Sequence, residues 1–217
     1  MQSESTEDYI KAIYRLKKDG RGVYTSELAK FLRIGNGSVT DMLKRLSVRK
    51  LIHYTPYQGV KLTTSGERLA MTMMRRHRLW EMFLMKFVGY SWHEVHDEAE
   101  RLEHVTSDVL ERRLDELLGF PTHDPHGDPI PNAKGIMPEV RQLSLDQCPV
   151  GKNSTVVRVS DESPEMLKYL RKIGLGLNRK IRVLERIQFD GSVILKIGSK
   201  EFPLSATMAR GVFVRLT

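Results

Sequence analysis

Apolar residues in the first 50 positions recur with the 3.6-residue period of helices. The pattern predicts one helix that begins at 5–8 and ends at Gly20, a second from Thr25 to before Gly35, and a third over 38–50. Two short helices joined by a glycine-containing turn are typical of a helix-turn-helix. The inward-facing positions predicted for the third helix are Val39, Leu43 and Leu46.

Two short runs with strand character follow the third helix. Residues 51–54 and 60–63 flank a turn at 56–59, which predicts the hairpin wing of a winged helix. Small polar residues near helix starts and bases further along suit contacts with DNA. The candidate DNA-binding residues are Thr25, Ser26, Asn36, Ser38, Thr40, Asp41, Lys44, Arg45, Arg49 and Tyr57. The alternative is a structural three-helix domain with a solvated basic face.

Two long helices are predicted next. One runs from a capping box at 64–67 to about Val88, and the other from a capping box at 91–94 to Gly119. Their apolar faces exceed what a small winged domain covers, so we expect a homodimer interface. A dimer also suits a palindromic operator whose half-sites lie about 34 Å apart.

The last third of the chain changes character. Residues 120–139 hold five of the nine prolines and predict an extended connector. Ser163 is expected to cap a helix over 165–173, and a hairpin turn is expected at 190–191. Strands are predicted at 154–159, 180–187, 193–197 and 212–216. The predicted fold class is therefore mainly α with a small, separate, barrel-like β domain.

Charge is distributed unevenly along the chain, whose formal net charge is +8. Residues 1–65 carry twelve Lys and Arg against six Asp and Glu, whereas residues 91–131 carry three against eleven. This order suits a polyanion-binding module followed by a cation-binding one. The single cysteine, Cys148, the polar acidic start and the lack of an apolar run of about 18 residues predict a cytoplasmic protein without a membrane span.

Six of the seven histidines lie between positions 77 and 126. In the run H-D-E-A-E-R-L-E-H at 96–104, helical spacing places His96, Glu100, Glu103 and His104 on one side. His77 and Glu81 are likewise four residues apart and share a helical face. Carboxylates and imidazoles in this arrangement can chelate a metal ion. The alternative is an ordinary solvated helix face.

Four motifs resemble the diphtheria toxin repressor family of metal-dependent transcription regulators. In chain order they are T-E-D-Y-I-K-A-I-Y, R-R-H-R-L-W-E-M-F, V-H-D-E-A-E-R-L-E-H-V and P-T-H-D-P-H-G-D-P-I-P. The resemblance covers essentially the whole chain. It implies a winged helix-turn-helix over 1–72, a helical dimerisation and metal-binding domain over 73–140, and an SH3-like (FeoA-like) domain over 150–217.

The resemblance also implies two metal sites. The first comprises Asp8, Glu100, Glu103 and His104. The second comprises His77, Glu81, His96, Asp124 and His126, completed by one acid among Asp161, Glu162 and Glu165. Lys11 departs from the family pattern, because members with a two-manganese cluster carry Glu there, and a cation would repel a closely spaced second metal.

Oxygen and imidazole ligands predict Mn²⁺, with Fe²⁺ as the alternative, and Zn²⁺ or other divalent metals are expected to substitute in vitro. The predicted function is a metal-activated repressor of metal-uptake genes. One alternative is a DNA-binding regulator with a purely structural metal such as Zn²⁺, which chelation would unfold. Another is a metalloenzyme, but the sequence shows no nucleophile–base pair or Gly-rich phosphate loop, so we expect no enzymatic activity.

Overall fold

The computed structural model describes residues 3–17, 21–56, 58–161 and 163–217, so the predictions at Gly20, Tyr57 and Glu162 lie outside the described residues. The chain divides into two compact units. The first comprises Met1–His77, Glu103–Thr106 and Pro131–Met137, and the second Arg78–Leu102, Ser107–Ile130 and Pro138–Thr217. In the described part, no helix is both long and apolar enough to span a membrane.

The first unit begins with three helices, α1 (Glu4–Leu16), α2 (Thr25–Leu32) and α3 (Asn36–Val48). Helix α1 begins at Glu4, earlier than the start predicted at 5–8. Ser3 is its N-cap, and the hydroxyls of Ser3 and Thr6 form a hydrogen bond of 2.9 Å. Helix α3 lies two residues earlier than predicted, since it begins directly after Gly35 and ends before Lys50, whose φ is 58°. Its predicted inward positions are confirmed, and all three are fully buried: Val39, Leu43 and Leu46.

The predicted wing is confirmed as an antiparallel hairpin of β1 (Ile52–Thr55) and β2 (Gly59–Leu62). Val60 also bridges to Val23 ahead of α2, which anchors the wing to the helices. Gly59 has a φ of 90°, and a Cβ there would lie 2.9 Å from the Val23 carbonyl oxygen. A side chain at position 59 would therefore push the wing away from the three helices.

Helix α4 (Thr64–Phe83) starts in the first unit and ends in the second, where a π-helical turn (Leu84–Val88) continues it to Gly89. Thr63 rather than Thr64 caps α4, since its hydroxyl accepts from the Gly66 amide at 3.1 Å. The predicted end near Val88 is confirmed.

The single helix predicted from 91 to Gly119 is wrong. The chain forms α5 (Val95–Glu103) and α6 (Asp108–Leu118) instead. Ser107 explains the break, because its hydroxyl accepts from the Leu110 amide and caps a new helix. The predicted capping pair does form, since Glu94 accepts from the Ser91 amide at 3.1 Å, one turn before α5.

The predicted β domain is an antiparallel sheet in the order β3-β8-β4-β5-β6-β7. Its strands are β3 (Leu143–Ser144), β4 (Asn153–Val159), β5 (Lys180–Arg186), β6 (Val193–Ile197), β7 (Lys200–Leu204) and β8 (Val212–Leu216), with helices α7 (Pro164–Lys172) and α8 (Ala206–Arg210). Strands β3 and β7 and helix α8 were not predicted from the sequence. Strand β7 contains Pro203, which the strand tolerates because it lies at an edge of the sheet. The predicted Ser163 cap of α7 is confirmed by its bond from the Met166 amide.

Candidate functional site

The first candidate metal cluster lies in the first unit, on α1 and at the end of α5. Asp8, Glu103 and His104 each offer a donor atom, and these atoms lie within 4.8 Å of one another. Nε2 of His104 is 3.1 Å from Oδ1 of Asp8 and 3.8 Å from Oε1 of Glu103. Glu103 is fully buried and His104 is 9% exposed. Asp8, Glu103 and His104, which were all predicted for the first site, therefore come together within the first unit.

Glu7, which sequence analysis did not assign to the site, fixes the ring of His104. Nδ1 of His104 donates to Oε2 of Glu7 at 2.7 Å, so the proton resides on Nδ1 and Nε2 carries the lone pair of the neutral ring. Burial lowers the pKa of His104, but the acids Glu7, Glu103 and Asp8 outweigh it and raise the pKa. Apart from the position of Glu7 in an acidic first turn, no sequence pattern indicated this role.

Glu103 has two further buried partners. Nζ of Lys11 donates to its Oε1 at 2.6 Å, and Nδ1 of His77 donates to its Oε2 at 2.5 Å. Lys11 is 5% exposed, so its ammonium group is part of the buried cluster. The residue that departs from the family pattern is therefore an internal cation beside a candidate metal ligand.

Glu100 and His77 are the two remaining predicted ligands, and each lies near the point where its helix passes from one unit to the other. Glu100 is half-buried on α5, one helical turn before Glu103 and His104. His77 is buried on α4, one turn before Glu81. Because Nδ1 of His77 donates to Glu103, the lone pair of its neutral ring lies on Nε2.

The second candidate cluster lies in the second unit and centres on Glu81 of α4, which is fully buried. Donor atoms of Glu81, His96 and Asp161 lie within 4.8 Å of one another, as do those of Glu81, Asp124 and His126. Nδ1 of His96 is 3.5 Å from Oε1 of Glu81 and 3.3 Å from Oδ2 of Asp161. Five predicted ligands from four separate segments thus form two groups that share Glu81.

Of the three acids predicted from the β domain, Asp161 groups with these residues. Glu165 is exposed at the start of α7 and groups with no described metal-ligand candidates. Its backbone amide and the Ser163 hydroxyl, which donates at 3.2 Å, lower the pKa of the Glu165 carboxyl. Glu165 therefore serves the helix start in this structure.

His126 is held so that one nitrogen faces the second cluster. Nε2 donates to the carbonyl oxygen of Trp92 at 2.6 Å, which leaves the lone pair of the neutral ring on Nδ1. Nδ1 is buried 3.9 Å from Oε2 of Glu81 and makes no hydrogen bond among the described residues. A buried nitrogen in this arrangement fits a metal ion, since it is oriented by the bond at the opposite side of the ring.

Strand β4 positions the loop that carries His126. The Val159 amide donates to the His126 carbonyl oxygen at 2.8 Å. Gly127 has a φ of 90° and lies so close to β4 that a Cβ would overlap the Val157 carbonyl oxygen. Asp128 accepts from Arg158 of β4 at 3.4 Å. The β domain therefore supports the cluster through its backbone as well as through Asp161.

The titratable groups of the second cluster depart from their ordinary behaviour. Burial lowers the pKa of His96, but hydrogen bonds and charges of Asp161 and Glu81 raise it to about 10. Burial also opposes charge on His126, but Glu81, Asp124 and the Trp92 carbonyl raise its pKa to about 9. Burial and the charges of Glu81 and Asp128 raise the pKa of Asp124. The metal-free cluster therefore holds protons at neutral pH, which a divalent cation would replace.

The predicted DNA-binding residues of the described part occupy more than one part of the winged-helix surface. Five of them line a hollow of about 560 Å³ formed by α2, α3 and the wing: Thr25, Ser26, Asn36, Thr40 and Lys44. Three more are exposed on α3: Ser38, Asp41 and Arg45. Arg49 instead donates to the Thr6 hydroxyl of α1 at 3.0 Å. Arg49 therefore connects α3 to the helix that carries Glu7 and Asp8.

Three family models match the chain. Residues 1–60 match the N-terminal DNA-binding domain of iron-dependent repressors, residues 63–132 match their metal-binding and dimerisation domain, and residues 143–216 match the FeoA domain. The winged helix-turn-helix, the helical metal-binding domain and the C-terminal SH3-like domain of the predicted fold class are confirmed.

Individual relatives agree with the family models. The diphtheria toxin repressor of Corynebacterium efficiens is 38% identical over 133 residues, which are 61% of this chain and 58% of that protein. The iron-dependent repressor IdeR of Mycobacterium leprae is 31% identical over 224 residues, covering 97% of this chain and 96% of that protein. A solved manganese-dependent transcriptional repressor in complex with manganese has 39% identity and a TM-score of 0.91, covering 98% of this chain and 100% of that chain.

The matches span all three domains, and the IdeR and manganese-repressor comparisons cover nearly the full length of both partners. The resemblance in the four sequence motifs is therefore confirmed. The chain belongs to the diphtheria toxin repressor family of metal-dependent transcriptional repressors.

Proposed function

We propose that this protein is a repressor of metal-uptake genes that Mn²⁺ activates for DNA binding. The observation that carries the choice of metal is the donor chemistry of the two clusters, which consists of carboxylates and imidazoles. The single cysteine, Cys148, is buried in the β domain, where its thiol lies 3.2 Å from the Ser154 hydroxyl. Hard oxygen donors with imidazole suit Mn²⁺, and Fe²⁺ is the alternative.

Two separate metal sites follow from the two clusters. The first site would use Asp8, Glu100, Glu103 and His104, with Glu100 included because it lies one turn before Glu103 on α5. The second site would use His77, Glu81, His96, Asp124, His126 and Asp161, with His77 included because it lies one turn before Glu81 on α4. Bound Mn²⁺ would supply the positive charge that offsets repulsion among these carboxylates.

Lys11 argues against a bridged pair of metal ions at the first site. Its ammonium group already occupies one side of the Glu103 carboxylate at 2.6 Å. A second divalent cation at that position would meet this fixed positive charge in a buried environment, where charge repulsion is strong. We therefore propose one metal ion at the first site.

The first cluster offers a physical route from metal to DNA. Lys11 and Glu7 already link α1 to Glu103 and His104 without metal. A bound cation would add Asp8 to these links, because it would offset the repulsion between the carboxylates of Asp8 and Glu103. Holding Asp8 beside Glu103 and His104 fixes α1, and Arg49 connects α1 to α3 through Thr6. Coupling of this kind between two ligands is commonly worth about 1–3 kcal/mol.

DNA binding would use the exposed side of α2 and α3 and a dimeric arrangement. Lys44 and Arg45 supply charge for phosphates, and the polar residues at the start of α3 are placed for base edges. Large exposed apolar side chains in the π-helical turn, on α6 and just after it favour a homodimer interface: Met85, Phe87, Val88, Val109, Leu110, Leu117 and Phe120. A two-fold dimer would read a palindromic operator.

Fluorescence anisotropy of a labelled promoter fragment from a metal-transport operon tests the proposal. We expect DNA binding to tighten as Mn²⁺ is added, at concentrations where anaerobic Fe²⁺ has little effect. An equal response to both metals would contradict selectivity for Mn²⁺. Strong binding that neither metal nor chelator changes would contradict metal activation altogether.

Substitutions in the first cluster separate a regulatory metal from a structural one. Glu103→Gln and His104→Ala should abolish the Mn²⁺ stimulation of DNA binding while the variants remain folded dimers, as size-exclusion chromatography with light scattering and circular dichroism would measure. Unfolding of the parent protein by a chelator would instead support a purely structural metal.

A further inference from the structure

A cavity of about 620 Å³ lies in the second unit between the end of α4 and the β domain. Its wall includes Trp92 and Pro125 on one side and the segment that follows α7 on the other. Ligand cavities in proteins commonly measure about 300–1,000 Å³. The cavity is thus large enough for a small organic molecule, and none of its lining residues is a candidate metal ligand.

The charged residues of the cavity wall are all cationic. Arg171 and Arg179 line it, and the lining contains no Asp or Glu. Both arginines are exposed, and neither forms an ion pair with any described residue. Guanidinium groups are strong, fork-shaped donors to carboxylates and phosphates. The rim of the cavity therefore favours an anion.

The remaining lining combines apolar surface with hydrogen-bond donors. Leu175, Leu177 and Met85 provide apolar contacts, and Tyr90 adds a phenol. The indole N–H of Trp92, another wall residue, is buried and makes no hydrogen bond among the described residues. Buried donors are normally paired, so this indole is an exception in the cavity wall, and its surroundings should respond to what the cavity holds.

We propose that this cavity binds a small amphipathic organic anion, a carboxylate or phosphate monoester that carries an apolar group. The acid group lies between Arg171 and Arg179, and the apolar group lies against Leu175 and Leu177. The site is separate from both metal clusters but shares Trp92 with the second, because the Trp92 carbonyl accepts from His126.

The chain has two tryptophans, Trp80 and Trp92, which makes ¹⁹F NMR of the full-length, metal-free protein labelled with 5-fluorotryptophan a direct test. Trp80 packs against Phe83 and does not line the cavity, so it serves as an internal control. The Trp80→Phe variant assigns the two resonances. The probe is phenyl phosphate, with inorganic phosphate and benzylamine as comparison compounds.

We expect phenyl phosphate to shift the Trp92 resonance saturably and to leave that of Trp80 in place. Inorganic phosphate should bind more weakly because it lacks the apolar group, and benzylamine should cause no shift. Replacing both guanidinium groups, in Arg171→Gln with Arg179→Gln, should weaken phenyl phosphate binding by about tenfold or more, since hydrogen bonds to charged groups are strong.

A matched variant removes the same charge from neighbouring positions. Lys172 and Lys180 are exposed, directly follow the two arginines in the chain and do not line the cavity. Lys172→Gln with Lys180→Gln should bind phenyl phosphate like the parent. The proposal is overturned if Trp92 shows no saturable shift, if benzylamine or inorganic phosphate matches phenyl phosphate, or if the two double variants bind equally.

Discussion

The two metal-ligand clusters differ in how their charge is balanced. The first contains a fixed cation, because the ammonium group of Lys11 lies 2.6 Å from Glu103. In the second, Nε of Arg78 lies 3.6 Å from Oδ2 of Asp124, and protons on His96 and His126 balance further negative charge. Lys11 therefore keeps its positive charge when metal binds at the first cluster, whereas His96 and His126 must release protons to act as ligands at the second.

The clusters also differ in how the chain assembles them. The first takes its members from α1 and the end of α5. The second takes them from α4, α5, the loop at 124–126 and the segment after β4. Ligands on two helices are positioned by helix geometry and packing. Ligands on the loop at 124–126 also depend on the contacts of that loop with β4. We expect the second cluster to be more sensitive to changes in the β domain.

Lys11→Met should have the largest effect on the first cluster. Breaking a buried ion pair by removing one partner costs about 3–5 kcal/mol in the free energy of unfolding, because Glu103 loses its buried counter-ion. Mn²⁺ should then stabilise the variant more than it stabilises the parent, since the cation replaces the missing charge. Thermal unfolding with and without Mn²⁺ measures both effects.

Lys17→Met is the matched control for Lys11→Met. Lys17 pairs with Glu67 at 3.4 Å on the surface of the same unit, and exposed pairs contribute at most about 1 kcal/mol. Equal destabilisation by the two substitutions, or an equal response to Mn²⁺, would contradict the role given to Lys11.

Glu81→Gln should disable the second cluster, because this fully buried carboxylate belongs to both of its ligand groups. We expect Mn²⁺ affinity at that site to fall by about 100-fold or more, beyond the usual cost of losing an outer-shell partner. Electron paramagnetic resonance of free Mn²⁺ measures this affinity. The control is Asp97→Asn, because Asp97 is an exposed acid on α5 outside both clusters. If Glu81→Gln binds Mn²⁺ as tightly as Asp97→Asn does, Glu81 is not a metal ligand.

Glu7→Ala should weaken the first site without removing any ligand. Glu7 orients His104 through Nδ1, and loss of such a partner typically lowers metal affinity about 10–100-fold. Glu7→Gln, which can still accept the hydrogen bond, should recover part of the loss. The control is Glu4→Gln, which changes an exposed acid in the same first turn. Calorimetric titration with Mn²⁺ measures the affinity of each variant. If Glu7→Ala and Glu4→Gln have the same Mn²⁺ affinity, Glu7 does not position His104.

The pH dependence of metal binding should come chiefly from the second cluster. His96 and His126 have pKa values raised to about 10 and about 9, so both rings are protonated at neutral pH and must lose a proton to bind metal. Mn²⁺ affinity should therefore rise with pH, by about tenfold per pH unit for each displaced proton, until these pKa values are reached.

Calorimetry in buffers of different ionisation enthalpy counts the protons released on metal binding. The parent should release more protons than His126→Gln, since that variant lacks one of the two rings. An affinity that stays constant through the neutral range would show that the imidazoles are already neutral before metal binds.

The sequence predicted the local parts of the molecule better than the long-range contacts. The spacing of Glu103 and His104 on a helix is a local property, and so is the capping of α7 by Ser163. The contacts of Glu7 with His104 and of Lys11 with Glu103 join residues more than 90 positions apart. Nothing near those residues in the sequence indicates their partners, because tertiary packing decides them.

Local signals also competed with one another in the middle of the chain. The apolar pattern continues through Leu110 and Leu114, which predicted one long helix where two exist. The capping strength of Ser107 outweighed this periodicity and ended α5 just after the metal ligands. Strand β7, which was not predicted, contains Pro203, a residue that a strand tolerates only at the edge of a sheet, where β7 lies.

The measurement that tests metal-activated DNA binding most directly is the affinity of the protein for Mn²⁺ with and without a saturating DNA fragment that it binds. If metal and DNA are thermodynamically coupled, DNA must tighten Mn²⁺ binding by the same factor by which Mn²⁺ tightens DNA binding, about 5–150-fold for typical coupling. Electron paramagnetic resonance of free Mn²⁺ gives this factor. We predict that DNA tightens Mn²⁺ binding in the parent but not in Glu103→Gln. The same Mn²⁺ affinity of the parent with and without DNA would contradict metal-activated DNA binding.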